Sequence, residues 1–322
     1  MKFFPAVYEH AAKVIGRTPW EVSRSKALMV NAHRAAFELY HHTPVVVGID
    51  IYNLEAEAYG AEIAEPDGAG IPSFKTHLCK DAAAILEIPE FDAGRSGRLR
   101  LVIDAAQELK AQLPAAVVKV PVSGPFSLAA NLCGLENLLC DALTEPETVE
   151  AVLKKLTAGQ LRFCKAVADA GVGITFFESA ATPPLVPPYM FQQLVLPALR
   201  ELIEGAAEFL GETVPCIIGG NTAPILEEML STGTQYVICP GETDQAAFME
   251  KMKQHPDVMV RINMNPAVFC SGSPVAALKE ADRVMVLAKG REKVCLGSGV
   301  LPYEAVPETV LNVMKYVNGK DA

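Results

Sequence analysis

The sequence predicts an α/β protein built as a closed (β/α)8 barrel with an N-terminal helical extension, and three observations carry that expectation. Short apolar runs alternate with segments of helical periodicity along the 322 residues, at a spacing that implies parallel pairing of successive strands. Four of the runs finish in polar residues and glycines: VVVGIDIYN (45–53), ITFFES (174–179), VPCIIGGNT (214–222) and KVCLGSGVLP (293–302). In a ring of parallel strands such ends gather on one face, and that is where barrel enzymes do their chemistry. No GxGxxG follows the first strand, which weakens the alternative of an open dinucleotide-binding sheet.

Each element follows in order. The segment up to Tyr40 reads as helical, with EVSRSKALMVNAHRAAFELY placing apolar residues at helical spacing after Pro19 and Trp20. Pro44 ends that pattern and VVVGID becomes the first central strand. LEAEAYG is a short helix closed by Gly60. From Ala61 to Phe91 the chain is rich in Gly and Pro and long enough to serve as a lid or substrate-facing loop. RLRLVIDAAQELKAQL is an amphipathic helix, AAVVKVPVSGP a strand, and FSLAANLCGLENLLCDAL together with residues 145–170 is helical. ITFFES is a strand, ATPPLVPP a proline-stiffened loop, and YMFQQLVLPALRELIEGAAEFL a helix. Thereafter strands TVPCII, YVICP, VMVRIN and EKVCLGSG alternate with helices APILEEML, QAAFMEKMKQ, VAALKEADRVMVLA and PETVLNVMKYV. About eight such units fit this length, which favours a closed ring.

Composition bounds the function. Half the residues are hydrophobic and 20% are charged, enough for one large domain with a deep core, and nothing resembles a linker, so residues 1–322 are read as a single domain. A net charge of −10 argues against generalised binding to nucleic acid or an anionic membrane. MKFFPAVYEHAAKVIG has neither the apolar core nor the cleavage site of a signal peptide, and no stretch is long and apolar enough to span a bilayer. A cytoplasmic location is expected. Eight scattered cysteines without a CxxC pair argue against a disulfide framework.

The order of several blocks resembles the uroporphyrinogen decarboxylase superfamily. GIDIYNLEAEAYGAEI is similar to its first-strand block, GPFSLAANLCGLENLL to its GPF-T/S-LA block, and ESAATPPLVPPYMFQQLVLP to its acidic-residue and proline-loop block. GGNTAPIL, INMNPAVF and LGSGVLPYEAVPETVLNVMKYV complete the series from about Pro44 onward. The resemblance implies a barrel enzyme. The decarboxylases carry an N-terminal Arg-x-x-Gly-Arg signature that cradles porphyrin carboxylates, whereas GRTPWEVSRSKALMV has none and only Asp50 matches their strand-end aspartate. The other large branch comprises corrinoid-dependent methyltransferases. Those that pass methyl to a thiol hold zinc through His-x-Cys before Gly-Asn-Thr and a Cys in a late Gly-Cys-Gly turn. Ile217, Gly219 and Ser298 stand at those positions here, so the usual zinc ligands are absent. The resemblance then implies an enzyme that takes methyl from a small donor, such as a methoxylated aromatic, to the cobalt of a corrinoid (cobalamin) on a partner protein. A methylcobamide:thiol methyltransferase and a divergent decarboxylase-like lyase are the alternatives, with a non-catalytic corrinoid-binding protein behind them; a homodimer is compatible with each.

Breaking an aryl ether needs a proton for the leaving oxygen, and Glu178, Asp50 and His77 are the candidate acids. Glu178 closes an apolar strand, where burial would raise its pKa; a metal-ligand role is its other reading. Asp50 is alternatively a helix cap, and His77 a solvated loop residue. Tyr52, Tyr189, Asn221 and Asn263 are the candidate substrate-binding residues; the tyrosines otherwise pack, and the asparagines otherwise hold turns. Gly220, Gly297, Ser298 and Gly299 are candidates for contact with the corrinoid, the glycines because they permit close approach. Leu296 stands where a GxSxG elbow needs glycine, so Ser298 is not read as a hydrolase nucleophile. If 217 and 219 face the interior, Cys216 faces the helices.

Overall fold

The computed structural model describes Met1–Gly319. The chain opens with strand β1 (Phe3–Ala6), followed by helices α1 (His10–Val14), α2 (Pro19–Ser23) and α3 (Lys26–Tyr40). A capping box between Thr18 and Glu21 starts α2, and the Ser25 side chain caps α3. Strand β2 (Val45–Val46), helix α4 (Leu54–Ala58), the antiparallel pair β3 (Ile63–Ala64) and β4 (Ser73–Phe74), and helices α5 (Ala82–Glu87) and α6 (Leu99–Gln112) come next. The stretch expected to be a loop from Ala61 to Phe91 thus carries a small ladder and a helix started by the Asp81 cap.

Strand β5 (Val118–Ser123) leads into α7 (Pro125–Cys133), α8 (Leu135–Thr144) and α9 (Pro146–Asp169), then β6 (Gly173–Phe177). The single helix expected after the proline loop is α10 (Pro188–Met190), a π-helical turn over Phe191–Val195, and α11 (Leu196–Leu210). Pro197 lies just beyond the widened turn, and its missing N–H accounts for the break in regular hydrogen bonding. Strands β7 (Cys216–Ile217), β8 (Tyr236–Cys239), β9 (Met259–Asn263) and β10 (Val294–Val300) alternate with α12 (Leu226–Leu230), α13 (Gln245–Lys251) and α14 (Pro274–Ala288), and α15 (Pro307–Gly319) follows.

Two parallel four-stranded arcs, ordered β2-β5-β6-β7 and β8-β9-β10-β1, make the (β/α)8 barrel. The ring runs in chain order, and β1 closes it by pairing with β10 through Phe3↔Leu296 and Phe4↔Gly297. The N-terminal helices are present as expected, but a strand precedes them, so they form the crossover from the first barrel strand to the second.

Alternation along each strand sorts the side chains. Val118, Val120 and Val122 join the large core between strands and helices, as do Ile174, Phe176, Cys216, Val260 and Ile262. The opposite face lines the inside: Ala6, Val46, Phe177, Ile217 and Ile238, from both arcs, meet in one apolar cluster with Tyr8 and Ile51. Cys216 therefore faces the helices, as the alternation argument holds. Among the described residues no helix is long and apolar enough to cross a membrane.

Candidate active site

The carboxyl ends of β10, β1 and β2 enclose a cavity of about 290 Å³. Its walls come from Tyr8 and Glu9 after β1, the Ile49–Asn53 turn after β2, Ile71 and Pro72 from the segment between β3 and β4, and Val300 at the end of β10. Most of this surface is apolar, with two tyrosines, an aspartate, an asparagine and a glutamate as the polar groups.

Glu9 is the distinctive group. It is only 6% exposed, and burial pushes its carboxyl up to about 7, with its own backbone N–H opposing the rise and the charge of Glu304 adding to it. No other side chain among the described residues donates to it. A buried carboxyl that holds a proton near neutrality and has nothing to give it to is suited to general acid work. Tyr8 beside it stacks edge-on against Phe177 at 5.8 Å, and burial pushes its hydroxyl to about 12.

Asp50 and Tyr52 line this cavity, but their polar atoms are already engaged. The guanidinium of Arg98 donates to Asp50 Oδ1 at 2.8 Å and to Oδ2 at 2.6 Å, and Asn53 Nδ2 donates to Oδ2 at 3.1 Å. Arg98 Nε also donates to Glu57 at 2.6 Å, and Arg24 joins Glu57. Asp50 is thus the anionic half of a buried bidentate ion pair that fixes the β2 turn. Tyr52 shares a 2.6 Å hydrogen bond with Ser179, tying the β2 turn to the end of β6.

The other sequence-selected residues lie elsewhere. Glu178 is fully buried behind the rim, where it accepts from Phe126 N at 3.0 Å, Ser127 N at 2.8 Å and Ser127 Oγ at 2.5 Å. It completes the N-terminus of α7 and does not line the rim cavity. Its carboxyl is pushed up to about 7 by burial, with the Ser127 and Phe126 bonds pulling it down. His77 is exposed on the flank of α7, with Nδ1 3.1 Å from the carbonyl of Asn131. Tyr189 points to solvent at 56% exposure. Asn221 accepts from Thr243 Oγ1 at 3.1 Å, linking the loops after β7 and β8, and it does not cap the helix that follows. Asn263 faces the barrel interior with Oδ1 unpaired.

The candidate corrinoid contacts have internal reasons to be small. A β-carbon at Gly220 would stand 2.8 Å from Thr182 Oγ1, and one at Gly297 would stand 2.6 Å from the Arg261 stem. Gly299 holds φ +67° against Pro266. Ser298 is fully buried; its Oγ accepts from Ala6 N at 3.1 Å and donates to Gly299 O at 2.5 Å, bridging the irregular step of β1. Of Asp50, Glu178, Asn221 and Ser298, Asp50 alone lines the rim cavity.

A zinc site does not fit these residues. Ile217 belongs to the interior apolar cluster, Gly219 has no donor, Ser298 is spent on β1, and Cys216 and Cys239 lie in the helix-facing core. Among the described residues no three His, Cys, Asp or Glu side chains stand close enough to hold a metal ion.

Sequence reasoning did not single out Glu9, Tyr8 or Arg98. The YE pair at 8–9 was legible only to a reader who ended a strand at Ala6.

Known proteins locate this architecture. A family model described as uroporphyrinogen decarboxylase (URO-D) matches residues 5–319. Uroporphyrinogen decarboxylase 2, chloroplastic, of Arabidopsis thaliana is 23% identical over 189 residues, covering 56% of this chain and 46% of the relative. Methylated-thiol–coenzyme M methyltransferase of Methanosarcina mazei is 28% identical over 109 residues, 33% of this chain and 30% of the relative. The chain thus spans about half the length, or less, of these curated relatives. A solved methyltransferase from Methanosarcina mazei superposes over 99% of this chain and 93% of its own, with a TM-score of 0.82 at 20% identity, a likeness of fold. With nearly its whole length matched by that family model, the chain belongs to the uroporphyrinogen decarboxylase (URO-D) family.

Proposed function

We propose that the chain is a methyltransferase that draws a methyl group from a small donor bound in the rim cavity and passes it to a corrinoid presented by a separate protein. The observation that carries this reading is Glu9: an unpaired, buried carboxyl near 7 on the wall of a mostly apolar cavity. The corrinoid, as co-substrate, would supply the nucleophile that accepts the methyl group. The chain's task is then the poor leaving group. As the methyl–oxygen bond breaks, its electron pair stays on the oxygen, and the Glu9 proton meets it there. Proton delivery of this kind contributes ~10²–10⁴-fold.

The donor must be small. About 290 Å³ between Tyr8, Tyr52, Ile51 and Ile71 suits a single ring with short substituents, which supports a methoxylated aromatic. The printed name of the Methanosarcina mazei relative supports a methylated thiol as the second donor class. A porphyrinogen lyase is less well supported, because no cation among the described residues lines this cavity and Arg98, behind Asp50 on its wall, is already neutralised by Asp50 and Glu57.

The test supplies free cob(I)alamin in place of the partner protein and offers methoxybenzoates and methylated thiols in turn, following the loss of the cob(I)alamin absorbance. Methylation from at least one donor is the expected result. Conversion of uroporphyrinogen, with no methyl transfer from any donor, would falsify the reading.

A further inference from the structure

The barrel interior holds a second cavity, separate from the rim. Its volume is about 210 Å³, and it lies towards the amino ends of the strands, where Pro44, Val117 and Pro215 form its mouth. Phe177, Ile217 and Ile238, with Ala6, Val46 and Ile51, lie between it and the candidate active site, and Tyr8 touches both spaces.

Two cations reach into this space: Lys119 from β5 and Arg261 from β9, each only 8% exposed. The neighbouring strands are bare where these side chains pass. A β-carbon at Gly173, the register partner of Lys119, would stand 3.2 Å from Lys119 Cγ, and one at Gly297 would stand 2.6 Å from Arg261 Cδ. Long charged side chains inside a barrel therefore come with room made for them.

No carboxylate among the described residues lines the cavity. Arg261 faces Tyr236, Tyr8 and Cys295, and the acid whose charge acts on Lys119 is Glu212, which is exposed and does not line the cavity. Two donors are left over: Arg261 Nε and Thr175 Oγ1 are buried without a hydrogen-bond partner, and both residues line the cavity. Buried charges without a counter-charge are costly, and buried donors rarely stay unpaired. A single negatively charged acceptor would answer both.

We propose that the amino-terminal half of the barrel interior binds one small oxyanion, a phosphate or a carboxylate, between Lys119 and Arg261, with Thr175 donating to it. Barrel enzymes commonly seat phosphates on the opposite, carboxyl face, so this site is distinct from the catalytic rim and does not depend on the reading of that rim.

Calorimetric titration of the full chain with sodium phosphate, and separately with sodium acetate, against sodium chloride at matched ionic strength tests it. The expected result is one anion per chain in at least one arm, phosphate heat pointing to free phosphate and acetate heat to a carboxylate ligand. Lys119→Met and Arg261→Met should each weaken binding at least about tenfold. Thr175→Val, which keeps the side-chain shape and so serves where the cation variants fail to fold, should weaken it about threefold or more. Absence of heat above the chloride control in both arms overturns the proposal, as does unchanged affinity in Thr175→Val or in either folded cation variant.

Discussion

Glu9 and Glu178 are both buried carboxyls raised to about 7 by desolvation, and what separates them is saturation. Glu178 spends both oxygens on three donors of α7, whereas Glu9 has a cavity in front of it. Burial was legible from the sequence at Glu178, because an acid after TFF must leave water. Saturation was not, because its partners lie 51 and 52 residues earlier in the chain. Asp50 was legible for the same reason and escaped for the same reason: Arg98, 48 residues on, sits at an unremarkable helix start. Replacing Arg98 by Met leaves Asp50 buried without its counter-charge. The expected loss is about 3–5 kcal/mol in denaturant unfolding. A change below about 1 kcal/mol would show that the pair is dispensable.

At the scale of elements, the barrel strands from β2 onward could be read because each is apolar and bounded by turns or helices, whereas the short β3–β4 ladder could not. β1 could not: it has four residues, includes Pro5, and leads straight into helical spacing. Its register is irregular between Phe4 and Ala6, and Ser298 supplies the acceptor that the ladder lacks there. Ser298→Ala should therefore cost about 1–3 kcal/mol by orphaning the Ala6 N–H, with methyl transfer per folded molecule retained. Unchanged stability would mean that water or a shifted β1 replaces the hydroxyl. Gly124 marks another junction that sequence left silent. A methyl there would overlap the Glu178 carboxylate, so Gly124→Ala should destabilise by at least about 1–3 kcal/mol, measured as a fall in the urea midpoint. A neutral substitution would place Glu178 away from the start of α7.

Over the whole molecule, buried acids and buried histidines pull stability in opposite directions. Glu9, Glu55 and Glu178 hold protons to about 7 in the fold but release them near 4.5 when unfolded. Their contribution favours the fold below 4.5 and is lost as pH rises through 7. Burial keeps His33 down to about 4 and His42 to about 3, and lowers His10, against an ordinary 6.5. Their contribution is present above 6.5 and lost as pH falls towards those values. Between about pH 5 and 6.5 the acids and the histidines oppose one another, so the melting temperature should vary less there than on either side, falling towards about pH 8 and again below about pH 4.5. Calorimetry that found stability climbing from about pH 6 to 8 would contradict these assignments.

The barrel itself was legible because alternation and order are global properties of the chain. The rim acid was not, because it depends on which strand opens the ring. The most direct test of that assignment is the single-turnover rate of methyl transfer to free cob(I)alamin in Glu9→Gln beside the unaltered chain, with any donor the latter accepts. A fall of about 10²–10⁴-fold, with a melting temperature at neutral pH no lower than that of the unaltered chain, is the expected result. A rate within about twofold of the unaltered chain would remove Glu9 from the chemistry and the rim cavity's claim with it.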